Sequence, residues 1–194
     1  MGKVICRVPV GISNRHIHLS KGDLATLFGP GYDLTVAKDL SQTGQYAAEE
    51  TVTLVGPKGV LQRVRVLGPL RSQTQVEISR TDCFALGVKP PVRDSGDLSD
   101  SPGIVVVGPA GCVQLSEGVV LAKRHIHMTP AEAEKFGLKD KDCVKVAVTE
   151  GPRPLTFDQV LVRVRDDFVL ELHLDTDEAN AACLRNGQEV DVIV

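Results

Sequence analysis

Two short segments of the 194-residue chain hold the residue types from which metal sites are built, Arg15-His16-Ile17-His18-Leu19-Ser20 and Arg124-His125-Ile126-His127-Met128-Thr129. Four of the five histidines lie in them. In an extended strand, side chains at i and i+2 share a face, so His16 and His18 can converge on one ion and His125 and His127 on another. A catalytic zinc usually takes three protein ligands and keeps a fourth position open, so each pair needs one more donor. The apolar–polar–apolar triplets Val76-Glu77-Ile78 and Leu172-His173-Leu174 stand at matching places later in the two halves. They nominate Glu77 for the first set and His173, the fifth histidine, for the second. A single His-x-His is as readily a hydrogen-bonded surface pair; what a structural role leaves unexplained is the duplication with shared flanks.

An anionic substrate beside such sets needs local positive charge, because the chain carries 22 Lys+Arg against 25 Asp+Glu, a net charge of −3. Arg71 follows the turn Gly68-Pro69-Leu70 and enters the strand bearing Glu77, which puts it at the mouth of the first set; on these residues alone it is equally a surface arginine. Arg15 and Arg124 alternate to the face opposite their neighbouring histidines and are read as structural supports.

The elements that position these residues follow from the same repeat. The His-x-His copies are 109 residues apart, and each runs into a helix start: Ser20 with Asp23, and Thr129 with Glu132 behind Pro130, have N-cap and N3 spacing. Gly29 and Gly137 mark the ends of these helices. The triplets repeat at an offset of 96 and lead into helices expected over Ser79 to Gly87 and Asp175 to Gly187, while Cys143 to Val148 alternates as a strand. Residues 90–103 are rich in Pro, Ser, Asp and Gly without periodicity, which reads as a linker between a first domain at 1–89 and a second at 104–194. With 28 valines, two tyrosines, five phenylalanines and no tryptophan, both domains are expected to be mainly β, as related small barrels whose closure covers the strand edges.

Composition excludes several classes. There is no run of five like charges and hence no footprint for nucleic acid. Purely aliphatic stretches reach four residues, as at Ile104 to Val107, far from the roughly 20 a membrane helix needs, and the N-terminus has no signal h-region, so a cytoplasmic protein is expected. Five widely spaced cysteines without a C-x-x-C pair exclude a disulfide framework and a four-cysteine zinc site, and most are expected to be buried as small hydrophobes.

The blocks Val8 to Ser20, Gly68 to Glu77, Ala122 to Met128 and Leu170 to Asn180, in this order, resemble the PduL-type phosphotransacylases, or phosphate propanoyltransferases, over nearly the whole chain. The resemblance implies two β-barrel domains with a two-zinc active site between them. The implied reaction is reversible transfer of a short acyl group, propanoyl or acetyl, between coenzyme A and inorganic phosphate. It further implies that His16, His18 and Glu77 hold the zinc facing the coenzyme A sulfur, that His125, His127 and His173 hold the second zinc, and that Arg71 binds phosphate. Ser13, Lys38, Arg65 and Asn180 fall where the family contacts coenzyme A. Family members of propanediol degradation reside in bacterial microcompartments; only seven residues precede Val8 here, so the amphipathic targeting extension is not seen and shell association is in doubt. A homodimer is compatible with this size, although no residue locates an interface. Two other classes stay open on the ligand sets alone: a two-metal hydrolase of a thioester or phosphoester, and a non-enzymatic metal-binding module.

Overall fold

The computed structural model describes residues 2–194. The first half of the chain runs β1 (Val4–Ser13), β2 (His16–His18), α1 (Lys21–Phe28), β3 (Val36–Asp39), β4 (Tyr46–Val55), β5 (Val60–Gly68), β6 (Gln75–Glu77), α2 (Arg80–Leu86) and β7 (Val92–Arg93). The rest runs β8 (Ile104–Val107), β9 (Cys112–Leu115), β10 (Val119–Ala122), β11 (His125–Met128), α3 (Pro130–Phe136), β12 (Cys143–Val148), β13 (Leu155–Val164), β14 (Glu171–Asp175), α4 (Thr176–Ala181) and β15 (Glu189–Ile193). The mainly β class expected from the valine content is what the chain adopts. No helix among the described residues is long and apolar enough to cross a membrane.

One unit is a closed barrel in the order β1-β14-β11-β13-β12-β15. Alternation builds its core: Val8 and Val10 of β1, Ile126 and Met128 of β11, Val144, Val146 and Val148 of β12, Leu172 and Leu174 of β14, and Val190 and Val192 of β15 all point inward. Each such side chain contributes about 1.5–3 kcal/mol on burial, and closure leaves no edge to template a stranger's strand. The other unit is a nine-stranded open sheet, β7-β10-β6-β2-β5-β4-β8-β9 with β3 on β4, curled as a half-barrel around Ile17, Leu54, Val64, Val66, Val76, Val106 and Val119.

The grouping of strands departs from the expected division at 90–103. One unit is Asn14–Ala122, and the other joins the segment ending at Ser13 to Lys123–Val194. Strand β1 precedes the first His-x-His but pairs with β14 and β15, whereas β10 precedes the second and pairs with β6 and β7. The two are equivalent in register: Gly11 lies opposite His173 and Val120 opposite Glu77. Each repeat thus lends its leading strand to the other unit, an exchange that local patterning does not encode. Residues 90–103 are no spacer either. Val92 and Arg93 pair with β10, Leu98 is buried, and the Ser101 hydroxyl donates to the Leu98 carbonyl while accepting from the Gly118 amide.

The predicted caps are present. Ser20, Ser79, Thr129 and Asp175 are N-caps, the last three closing reciprocal capping boxes with Asp82, Glu132 and Glu178. Helix α4 stops at Ala181, well before Gly187, because Cys183 turns left-handed at φ 54°. The cysteines differ from expectation: Cys83 is buried and Cys6 half-buried, but Cys112, Cys143 and Cys183 are exposed, lying on outward strand positions or in a turn.

Candidate functional site

In the half-barrel unit, β2 is flanked by β5 in parallel and β6 antiparallel, so its three residues are buried although two are polar. Ile17 goes to the core, and His16 and His18 go to the opposite face. Glu77 lies directly across from His16, and the ligand atoms of His16, His18 and Glu77 all fall within 4.8 Å of one another. The three residues nominated from spacing are therefore one donor set. In the barrel unit β11 repeats the arrangement. His173 of β14 lies directly across from His125, and His125, His127 and His173 form a second set within the same 4.8 Å limit.

Hydrogen bonds fix where the lone pairs are. His16 Nδ1 is 2.8 Å from the Asn14 carbonyl and His125 Nδ1 is 2.7 Å from the Lys123 carbonyl, each two residues upstream. A carbonyl only accepts, so both rings carry the proton on Nδ1 and turn the Nε2 lone pair to the cluster. His173 is held the other way round, its Nε2 donating to Glu171 Oε2 at 2.7 Å, which leaves the lone pair on Nδ1. His127 is buried with neither ring nitrogen hydrogen-bonded, and its ring stacks on Phe168 at a centroid distance of 3.9 Å. A buried imidazole without partners is costly unless something else uses its nitrogens, and together with His125 and His173 it forms a donor set of the kind that holds a cation. The residues present thus fit a metal in both sets, the first with one carboxylate and the second with imidazoles only.

The charge states of three of these groups agree. Burial and then the neighbouring His125, His173, Arg163 and Arg165 charges push the His127 imidazole down to about 2. Burial, with His16 and Arg71, pushes His18 down to about 3. His16 is raised: burial pulls it down, but the Glu77 charge and hydrogen bond and the Asn14 carbonyl outweigh that. Burial would raise the Glu77 carboxyl, yet the His16 charge and hydrogen bond, with His18 and Arg71, hold it far below the usual carboxylate range. His18, His127 and Glu77 are thus in the forms that ligate, whereas His16, paired with Glu77, must give up a proton to a metal that displaces the pairing.

Arg71 reaches this first set. Its backbone amide donates to the Leu19 carbonyl, pinning the turn to the end of β2, and its Nη2 donates to His18 Nε2 at 2.9 Å. The supports inferred for Arg15 and Arg124 are ion pairs, Arg15 to Asp82 at 2.7 Å and Arg124 to Glu178 at 2.8 Å. Asp82 and Glu178 are the N3 residues of α2 and α4, so each pair ties a His-x-His strand to the helix after its third ligand. The four expected coenzyme A contacts are divided between the two units. Ser13 ends β1 opposite Asp175, and Asn180 is exposed on α4. Lys38 is exposed on β3, and Arg65 stands opposite His16 with Nη1 donating to the Ala48 and Glu49 carbonyls. Sequence reasoning missed Gln75, Ser95, Glu171 and Phe168. Gln75 and Glu171 each sit two residues before a candidate ligand in its own strand, a signal the spacing rule could have used; Ser95 and Phe168 come from irregular segments and had none.

The family model for phosphate propanoyltransferase matches residues 9–185. The chain is 65% identical over 184 residues to a Thermotoga maritima protein named phosphate propanoyltransferase, covering 95% of this chain and 88% of that one. Proteins of the same name from Escherichia fergusonii and Listeria monocytogenes are 53% and 52% identical, covering 96% and 93% of this chain and 89% and 84% of theirs.

Proposed function

The chain belongs to the phosphate propanoyltransferase family, and from that premise we propose that it moves a short acyl group reversibly between coenzyme A and inorganic phosphate, using zinc in both donor sets. Acyl-CoA and phosphate give acyl phosphate and coenzyme A: a phosphate oxygen bonds to the thioester carbonyl carbon, the carbon–sulfur bond breaks, and the sulfur leaves as thiolate. The observation that carries this reading is the pairing of two donor sets on equivalent strands with an arginine bonded to a ligand of one of them.

His16, His18 and Glu77 would hold one ion and His125, His127 and His173 the other; zinc suits three imidazoles and equally two imidazoles with a carboxylate. When bound, the ions would supply Lewis-acid polarisation of the thioester carbonyl and stabilisation of the departing thiolate. Arg71 supplies what a metal does not. Its planar fork can take two phosphate oxygens at once and so orient the third toward the carbonyl carbon, with a fixed charge that survives any working pH. The His16 and His125 Nδ1 contacts keep both rings in the tautomer that ligation requires, and the Glu171 carboxylate does the same for His173. Ser13, Lys38, Arg65 and Asn180 are assigned to the coenzyme A moiety, as the family resemblance implies.

The test is thiol release from acetyl-, propanoyl- and butanoyl-coenzyme A, with and without inorganic phosphate, on protein of measured metal content. Phosphate-dependent release by protein with two equivalents of metal is the expected result. Release that ignores phosphate would replace transfer by hydrolysis, and full activity at one equivalent or less would remove the two-ion reading.

A further inference from the structure

The turn after β7, in the segment expected to be a spacer, reaches back to the first donor set through a single hydroxyl. Ser95 Oγ accepts from Arg71 Nη1 at 3.1 Å and from Gln75 Nε2 at 3.1 Å, and donates to Glu77 Oε1 at 3.3 Å. A serine hydroxyl has two lone pairs and one proton, so these three bonds use it completely. Gln75 closes the arrangement: its Nε2 also donates to Glu77 Oε1 at 2.6 Å, and its Oε1 accepts from the Gly96 amide at 2.9 Å, holding the turn in place. Gly96 sits at φ 98°, a conformation that side chains rarely adopt, so the backbone bends sharply just after the serine.

The Arg71 guanidinium donates both to His18 Nε2 and to Ser95 Oγ. His18 has one lone pair to give. If Nε2 ligates a metal, Arg71 must release it; if Nδ1 ligates, the ring proton moves to Nε2, which then faces the guanidinium as a second donor. Either way the bond to His18 is lost when the ring becomes a ligand, while the bond to Ser95 can persist. Resting on the reading of Arg71 as the phosphate-binding arginine, we propose that Ser95 is a positioning residue for the phosphate site: its hydroxyl holds the Arg71 guanidinium beside Glu77 once His18 is committed to metal. The serine itself touches no reacting atom. It sets the direction of the fork and ties that direction to the carboxylate of the same donor set.

Three variants of the metal-loaded protein test this: Ser95→Ala, Ser95→Thr and Arg71→Ala, with kinetics in both substrates, calorimetric titration with inorganic phosphate and elemental analysis. Ser95→Ala should keep its metal content, raise the phosphate KM and Kd by about tenfold, the scale of one hydrogen bond to a charged group, and leave the acyl-CoA KM within about twofold. Ser95→Thr keeps the hydroxyl and should recover phosphate binding to within about threefold of the parent. A phosphate Kd in Ser95→Ala within about twofold of the parent, an equal rise in both KM values, or a threonine variant no better than alanine would overturn the assignment. Arg71→Ala separates this failure from that of the underlying reading. Unchanged phosphate binding there refutes Arg71 as the anion site, and the role of Ser95 with it. Lost binding there with normal binding in Ser95→Ala refutes the serine alone.

Discussion

The first donor set, on β2 and β6, and the second, on β11 and β14, are one scaffold with two electrostatic characters. In both, a His-x-His strand lies antiparallel to a strand whose third ligand faces the first histidine, a carbonyl two residues upstream fixes that histidine's Nδ1, and an arginine binds the N3 acid of the following helix. What differs is the filling. The first set has a carboxylate, an arginine on His18 and a hydroxyl linking the two; the second has three imidazoles, a Phe168 ring stacked on His127 and a glutamate behind His173. A divalent ion held by neutral imidazoles would keep a formal charge of +1 in the first set and +2 in the second, and the first has a positive neighbour in Arg71. The same geometry is built twice, and a few positions make the first set charged and arginine-paired and the second all-imidazole.

The sharpest way to break this comparison is to remove the third ligand of one set at a time. Glu77→Ala should lower metal affinity of the first set by at least ~100-fold, the upper end for losing even an outer-shell partner, and leave the second set nearly intact. His173→Ala should do the reverse. Metal titration of each variant, read by displacement of a chromophoric chelator, checks the pair; equal loss from both sets in either variant would show that the sets are not the independent copies their register implies.

Next in size is Arg71→Lys, which keeps the charge and loses the fork. Turnover should fall by one to two orders of magnitude, about 1.4–2.7 kcal/mol of barrier, at unchanged metal content. The expected asymmetry is that no arginine substitution on the second set's side has this effect through phosphate: Arg163→Lys, facing His127 across β13, should leave the phosphate KM within about threefold. A comparable phosphate defect there would make the two halves alike after all.

Much of this was legible in the sequence because it is local or periodic. His-x-His on one strand face needs only the two-residue repeat, and the Ser20, Ser79, Thr129 and Asp175 caps need only the N-cap to N3 spacing. Glu77 and His173 came from the repeat, and the register β2–β6 and β11–β14 places both opposite the first histidine of their pair. Three things were not legible. The exchange of β1 and β10 is a choice between two sheets with equally apolar strands, which pairing energies decide and alternation does not. The role of Ser95 depends on how a proline- and aspartate-rich segment folds back, and composition alone made that segment a spacer. The contact of Phe168 with His127 arises in the loop between β13 and β14, where no periodicity applies.

The two arginine–acid pairs offer a comparison in stability. Arg15 bonds an aspartate whose side chain is only 3% exposed, while Glu178, the partner of Arg124, is 22% exposed. Losing the partner of a buried charge costs more than losing that of a hydrated one, so Arg15→Ala should destabilise the metal-free protein by about 2–3 kcal/mol, below the full buried-pair cost because Arg15 itself meets solvent. Arg124→Ala should cost about 1 kcal/mol. Urea unfolding of the two variants checks the order, and a reversed order would mean that the Arg124 contacts with the Asp158 carbonyl and the Phe157 ring outweigh the burial of Asp82.

The smallest expected effect is a pH signature of the second pair. Burial and then the nearby Asp175 charge raise the Glu178 carboxyl above its ordinary value, despite the hydrogen bond and charge of Arg124 pulling it down. A group whose folded value lies above its unfolded one stabilises the fold below the unfolded value and loses that contribution as pH rises through the folded one. The intact protein therefore gives up this contribution between the ordinary glutamate range, about 4.3, and the raised folded value. Glu178→Gln has no such proton to lose. Its stability relative to the parent should improve as pH is taken upward through that window and then stay level, whatever the constant cost of weakening the Arg124 bond. Urea midpoints of both proteins in chelator-treated samples between pH 4 and pH 7 provide the curve. A difference that is flat across the window, or that falls with rising pH, would mean that Arg124 dominates Glu178 and that the second half's helix is held by a fully compensated pair, removing one of the electrostatic contrasts between the two repeats.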